Sequence, residues 1–357
     1  PAPGAQAVSV ASETTGVAYS ATVVTTSGGN WLSATPRQGV TPASLNVNVN
    51  PVGLSNGDYS GVIYLTSEGA SNSPLTLRVS LTVTGVKTNV TLLNGASFAP
   101  SPSPVAPGSI AAIFGEGFPE TASFSALANA DASSAGAPLP SRLENVEVKI
   151  NDISAPLFFA GAGGAIGATP GRFQINLQIP PSAATGAATL QVFYRDALVA
   201  TTMFNVAPAA PGVFTLGQGG TGQAAVINQD GSLNGDPAKP VVPGTQPKQA
   251  SASSVITVYA TGAGSDLRDY ATGGPATPAA GVPAPCDGST LYVTKSKPTV
   301  TIGGKAADVT FSGLAPCYVG LWQLNIRVPA GLAAGVDLPL VVTMDQQTGN
   351  ATSVAVK

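Results

Sequence analysis

Gly171-Arg-Phe-Gln-Ile-Asn-Leu-Gln-Ile-Pro180 and Gly320-Leu-Trp-Gln-Leu-Asn-Ile-Arg-Val-Pro329 read as one segment written twice. In both, large apolar residues alternate with polar ones, and the run stops at a proline, which has no N–H to give to a ladder. This is the pattern of a strand with one face in a core. The echo extends outward. Val148-Lys-Ile150-Asn-Asp152 matches Val300-Thr-Ile302-Gly-Gly304, and Ser109-Ile-Ala-Ala-Ile-Phe-Gly-Glu-Gly117 matches Ser254-Val-Ile-Thr-Val-Tyr-Ala-Thr-Gly262. Downstream, each copy continues with another strand (Thr189 to Phe193, Leu338 to Met344) and a closing one (Thr202 to Ala207, Ser353 to Val356). Two β-modules related by duplication are expected, and such modules build scaffolds without naming a reaction.

Residues 1–86 form a third β-unit. Strands are expected at Gln6–Val10, Val17–Val24, Ser44–Val49, Tyr59–Thr66 and Leu75–Thr84, with a short one near Trp31–Ala34. Turn residues separate them, including Pro36-Arg-Gln-Gly39 and Ser55-Asn-Gly-Asp58. No helical period runs beyond a turn or two. The chain is therefore read as all-β, three immunoglobulin-like β-sandwich modules in series: 1–86, 87–215 and 251–357. The second and third are the internal duplication, and the Gly/Pro-rich connector 216–250 carries a short hairpin at Ala224–Asn228. Long insertions, Phe118–Ser141 and Asp266–Ser296, follow the first strand of each repeat.

Composition narrows the function. Of 357 residues, 43% are hydrophobic, enough for real cores, and only 9% are charged, far below the usual quarter or so. The net charge of -3 leaves no basic footprint for nucleic acid. No apolar run of membrane-spanning length exists, so no membrane span is expected. A weakly charged, Ser/Thr/Asn-rich surface suits the cell exterior, and Pro1 is read as a terminus left by processing. Histidine is absent, which removes the commonest general base and zinc ligand. No catalytic residue, cofactor or metal site is expected. Carboxylate-only hydrolysis would survive the loss of histidine, but the acidic residues are few and scattered through turns.

The two cysteines, Cys286 and Cys317, both lie in the third module, the first in a Pro-rich loop and the second just before the repeated strand. A disulfide between them is expected. It closes a loop of about 30 residues, worth roughly 3 kcal/mol in the chain-entropy model. Two buried free thiols are the alternative.

Gly28-Gly-Asn-Trp-Leu-Ser33, Thr41-Pro-Ala-Ser-Leu-Asn-Val47 and Gly53-Leu-Ser-Asn-Gly-Asp-Tyr-Ser-Gly61 give the first unit its resemblance to BACON-type immunoglobulin-like domains. The resemblance implies one further strand ahead of residue 1, and hence a sandwich lacking a strand. Asn94-Gly-Ala-Ser-Phe98, Ala106-Pro-Gly-Ser-Ile110, Phe114-Gly-Glu-Gly117, Gln174-Ile-Asn176, Pro211-Gly-Val-Phe214, Asn228-Gln-Asp-Gly-Ser232, Tyr259-Ala-Thr-Gly262 and Gly320-Leu-Trp-Gln-Leu-Asn325 carry a second one. Residues 94–357 resemble the uncharacterised C-terminal domain family of secreted Solibacter-type (acidobacterial) proteins. That resemblance implies secretion and an all-β fold and brings no activity with it.

Several motifs have a functional and a plain reading. Asn228-Gln-Asp-Gly-Ser-Leu-Asn-Gly235 spaces oxygens loosely like a calcium loop but lacks the closing Glu, and Asx-Gly pairs also make hairpin turns. Ser265-Asp-Leu-Arg-Asp-Tyr270 reads as a surface Asp–Arg pair or a catalytic dyad. Trp31 could stack on a sugar ring or pack in the core, and Trp322, in the place of Phe173, faces the same choice. Gln174/Asn176 and Gln323/Asn325 recur on the polar face, placed to hydrogen-bond neighbouring backbone. Asn89-Val-Thr91 and Asn350-Ala-Thr352 match the glycosylation pattern.

The sequence thus points to a non-catalytic, extracellular or cell-surface structural protein. It is expected to self-associate into a filament or adhesive stalk by strand donation or head-to-tail β contacts. The second reading is an array of carbohydrate-binding modules for a polysaccharide, with Trp31 as the glycan contact. A hydrolase with two carboxylates from distant loops is the third.

Overall fold

The computed structural model describes residues 3–51, 54, 57–68, 70–83, 90–100, 102–116, 128–129, 138–162 and 172–357. Most of the insertion Phe118–Ser141, together with Pro1 and Asn89, lies outside the described residues. Among those described, every regular element is a β-strand. The chain divides into two compact units, Pro1–Val86 and Lys87–Lys357, and holds three hydrophobic cores, one in the first unit and two in the second.

In the first unit, Gln6–Val10, Ala43–Val49 and Leu32–Thr35 form one sheet, in the order 6–10, 43–49, 32–35. Gln38–Val40, Ala18–Thr25, Gly57–Thr66 and Leu75–Val83 form the other, in the order 38–40, 18–25, 57–66, 75–83. Among the described residues that makes seven strands, the number of an immunoglobulin-like sandwich. The expectation of a missing strand is corrected here. The seventh strand is Gln38–Val40, which the Pro36-Arg-Gln-Gly39 turn chemistry conceals, and it pairs with Ala18–Ser20. Gln6–Val10 pairs within its own chain, Gln6 opposite Val47 and Val10 opposite Ala43.

In the second unit the duplication is legible residue by residue. Phe173 lies opposite Gly115 on one side and Ala162 on the other; Trp322 lies opposite Ala260 and Leu314. Both are buried, and Trp322 Nε1 donates to Ser312 Oγ at 3.0 Å. A β-bulge interrupts the pairing between Leu157 and Phe159, and the same bulge recurs between Val309 and Phe311. Four two-residue hairpin turns match in pairs: Asn151-Asp152 with Gly303-Gly304, and Arg195-Asp196 with Asp345-Gln346. All eight residues have positive φ, as a type I′ turn requires. The copies differ where Pro156 splits Ile153–Ser154 from Leu157–Ala162. In the second repeat one continuous strand, Lys305–Leu314, passes from one sheet to the other.

The connector belongs to this architecture. Val226–Asn228 pairs with Val255–Thr261 in the register in which Thr91–Asn94 pairs with Ile110–Glu116: Leu92 opposite Ile113 and Asn94 opposite Ala111, Val226 opposite Val258 and Asn228 opposite Ile256. The segment expected to join the repeats thus supplies the second repeat with its first strand. Buried Asn234 fastens it, donating to Asn228 Oδ1 at 2.9 Å and to the Ala355 carbonyl at 2.8 Å.

Candidate functional site

The first unit is the less sealed of the sandwiches. Its core holds ten buried hydrophobic residues among those described, with ten more only partly buried, including Val8, Val10, Leu77, Val79 and Val83. In the first repeat, among the described residues, only Val199 and Phe204 stand in that half-covered position. Leu75–Val83 is the outermost strand of its sheet, nine residues long, paired along Gly57–Thr66 and with no strand beyond it among the described residues. The apolar residues of one face of this edge, Leu75, Leu77, Val79 and Val83, are half-covered or exposed, and only Leu81 is fully buried. The edge carries one charge, Arg78. An edge of this length presents a row of unpaired N–H and C=O groups to any incoming strand.

Trp31 does not serve this surface. It is 3% exposed, its Nε1 donates to the Ser27 carbonyl at 2.9 Å, and its ring meets Tyr59 edge-on at 6.3 Å between centroids. With both faces packed it cannot stack on a sugar, and the glycan contact expected at Trp31 is withdrawn. Trp322 is wholly buried as well.

Cys286 and Cys317 are joined, with 4.5 Å between their Cα atoms. The Cys317 N–H donates to the Ala284 carbonyl at 2.9 Å, and Ala284 bridges to Pro316. Two independent ties thus pin the long loop to the start of the repeated strand. Beside it, Asp287 accepts the Ser289 N–H at 2.9 Å, which holds its carboxyl below its ordinary value.

The polar motifs are committed to turns and ladders. Asp230 accepts from Ser232 and from Lys248 Nζ, and these bonds hold its carboxyl far below the usual carboxylate range. Asn228 turns inward to donate to the Lys248 carbonyl at 3.0 Å. Around Ser265–Tyr270 the pairing differs from the Asp–Arg contact expected: Asp266 meets Lys295 at 3.4 Å, Arg268 donates to the Lys295 carbonyl, and Asp269 caps the N–H groups of Ala271 and Thr272. Among the described residues no group of three or more His, Cys, Asp or Glu converges. The repeated amides bond each other and not the backbone: Gln174 Nε2 donates to Asn176 Oδ1, and Gln323 Nε2 to Asn325 Oδ1, both at 3.0 Å.

The two repeats are locked together within their unit. The Ile110 N–H donates to Thr261 Oγ1 at 2.8 Å, and that hydroxyl donates to the Gly320 carbonyl at 2.9 Å. Buried Gln178 accepts the Gly281 N–H at 2.7 Å and donates to the Gly108 carbonyl at 3.3 Å. Gly262, at φ +87°, runs so close to the preceding segment that a Cβ would stand 1.8 Å from the Ala210 carbonyl oxygen. Sequence reading gave no sign of this seam, because each of its partners lies more than 50 residues from the other.

No protein-family model matches the chain, and no curated protein matches it. Among solved structures the chain is similar in outline to the titin I-band fragment I67–I69 (8% identity, TM-score 0.21, covering 95% of this chain and 88% of that one). It is similar also to domains 4–9 of the surface-layer protein SbsC (13%, 0.21, 95% and 38%). A third is the endo-fucoidan hydrolase MfFcnA4 of glycoside hydrolase family 107 (12%, 0.18, 94% and 39%). At these scores nothing about function is taken from the likeness, which falls on scaffolds and on an enzyme alike.

Proposed function

We propose that this chain is a non-catalytic structural protein of the cell exterior, a subunit that self-associates into a filament or adhesive stalk through β contacts between copies. The observation that carries the reading is the edge strand Leu75–Val83. Natural sandwiches blunt long edges with Lys, inward charges or bulges. Here Pro74 precedes the strand and Arg78 is its one charge. A strand from a second copy would pair the open edge and cover Leu77, Val79 and Val83 in the same act. When donor and acceptor surfaces differ, such a contact does not close on itself and repeats into a fibre.

Other features support the reading. The disulfide suits an oxidising exterior. The 9% charge content weakens the repulsion that opposes dense packing. The seam makes the duplicated sandwiches one body able to pass a load between them.

Light scattering and negative-stain microscopy across a concentration series test the proposal. The wild-type chain is expected to form elongated assemblies, and Leu77→Lys, which puts an inward charge on the edge, to remain a folded monomer. A wild-type chain that stays monomeric at high concentration, or a Leu77→Lys variant that still assembles, would overturn it.

A further inference from the structure

On the outer face of the first repeat's sheet that runs Leu157–Ala162, Arg172–Gln178, Ile110–Glu116, Thr91–Asn94, segments far apart in sequence meet. Phe98 follows the strand Thr91–Asn94, Phe114 comes from Ile110–Glu116, and Gln174 and Asn176 come from Arg172–Gln178. Phe214, Thr215 and Gln218 arrive from the segment after the repeat's closing strand, Ala197–Val206. Together they line an open groove of about 650 Å³, within the range of small-ligand clefts, about 300–1,000 Å³. The three phenylalanines are half-buried, each ring part of the groove wall.

Phe98 is held there by its backbone. Its φ is +49°, in the left-handed region that bulky residues rarely enter. Buried Asn94 sets the turn: its carbonyl accepts the Phe98 N–H at 3.0 Å, its Oδ1 accepts the N–H groups of Ala96 and Ser97, and its Nδ2 donates to the Ala210 carbonyl. The result places the Phe98 ring 6.3 Å from that of Phe114, tilted by 54°. On the floor, the Gln174–Asn176 bond leaves Gln174 Oε1 an acceptor and Asn176 Nδ2 a donor.

The lining decides the ligand class. Aromatic faces beside paired amides suit a molecule with apolar C–H faces and a rim of hydroxyls. Among the described residues no charged side chain lines the groove, so an ionic ligand would lose water and gain no counter-charge there. The floor strands Ile110–Glu116 and Arg172–Gln178 are each paired on both sides, so a peptide finds no free edge to extend. We infer that this groove binds a neutral oligosaccharide, with Phe98 and Phe114 stacking on sugar rings and Gln174 and Asn176 bonding their hydroxyls. This stands apart from the assembly reading, since the edge Leu75–Val83 takes no part in it.

The second repeat supplies the control. It has the same amide pair, Gln323 and Asn325, beside Tyr259, which matches Phe114 in register. Four residues after the matched Asn228, however, stands Ser232 and not a phenylalanine. The test is calorimetric titration of the whole chain with neutral cello-, xylo-, manno- and malto-oligosaccharides, and with an oligogalacturonate as the anionic comparison. One neutral series is expected to bind with one site per chain. Phe114→Ala and Gln174→Ala are each expected to weaken it about tenfold or more, and Gln323→Ala to leave it unchanged. Binding of the anionic oligomer alone, binding of none, binding indifferent to Gln174→Ala, or equal loss in Gln323→Ala would overturn the inference.

Discussion

The backbone N–H of Ile110, first residue of the strand Ile110–Glu116, donates to the hydroxyl of Thr261, last residue of the matching strand Val255–Thr261, at 2.8 Å. Thr261 is fully buried and passes its own proton on to the Gly320 carbonyl. Thr261→Val keeps the shape and removes both bonds, leaving a donor and an acceptor in the seam without partners. A loss of about 1–3 kcal/mol is expected, measured as a lower denaturant midpoint, with Thr261→Ser recovering much of it.

The cysteine pair should matter through the unfolded chain. Replacing Cys286 and Cys317 by serine releases a loop of 31 residues and is expected to cost about 3–4 kcal/mol. The Cys317 N–H bond to Ala284 remains, so the fold should persist. Intact mass after alkylation, with and without prior reduction, checks the pairing. Two alkylated thiols in the unreduced protein would refute it.

Acid should destabilise the second unit in part through Glu147. Partial burial pushes its carboxyl up, but bonds from Ser154 and Arg142 and the charge of Lys149 outweigh this and hold it below its ordinary value. A carboxyl depressed in the folded state contributes stability above its unfolded pKa and loses it as pH falls through the folded one. With no histidine in the chain, the thermal midpoint is expected to be flat between roughly pH 6 and 8 and to drop below the carboxylate range. Arg142→Ala, which removes a hydrogen-bonded partner of Glu147, should make that acid limb shallower.

Tyr19 offers a stabilising change. The ring is buried, and its hydroxyl has no hydrogen-bond partner among the described residues. Tyr19→Phe removes an unsatisfied oxygen and keeps the packing, so a gain of up to about 1 kcal/mol is expected. Differential scanning calorimetry would show it as a higher midpoint for the first unit. A lower midpoint would mean that the hydroxyl is satisfied.

The core was readable from alternation alone. Phe173 and Trp322, matched by eye in two ten-residue runs, occupy the same ladder position and the same buried depth, because a period of two leaves a strand one way to face a core. What escaped was set by tertiary context. Gln38–Val40 is three residues long and borders Pro36, so local turn chemistry outweighs its strand signal. Trp31 looks the same in sequence whether it stacks on a sugar or packs edge-on against Tyr59. The groove of Phe98, Phe114, Gln174 and Phe214 is assembled across more than 100 residues, and only the folded ladder brings its parts to one face.

The strand Val226–Asn228 has a consequence for where this protein can be cut. Since it fills the place held by Thr91–Asn94, the unit that was copied begins with an asparagine-bearing strand and not with the apolar strand after it. A fragment begun at Ser251 would strip Val255–Thr261 of its neighbour and Ala355 of its bonds from Asn234. Gly222–Gln223 lies alongside the final strand, Thr352–Val356, so the connector also closes the second copy against its last strand. Gly212–Val213 also pairs with Val255–Thr261, and Ala209 and Val213 lie in the second copy's core, so the cut that suits excision or grafting runs ahead of residue 209, before what composition alone would take for spacer.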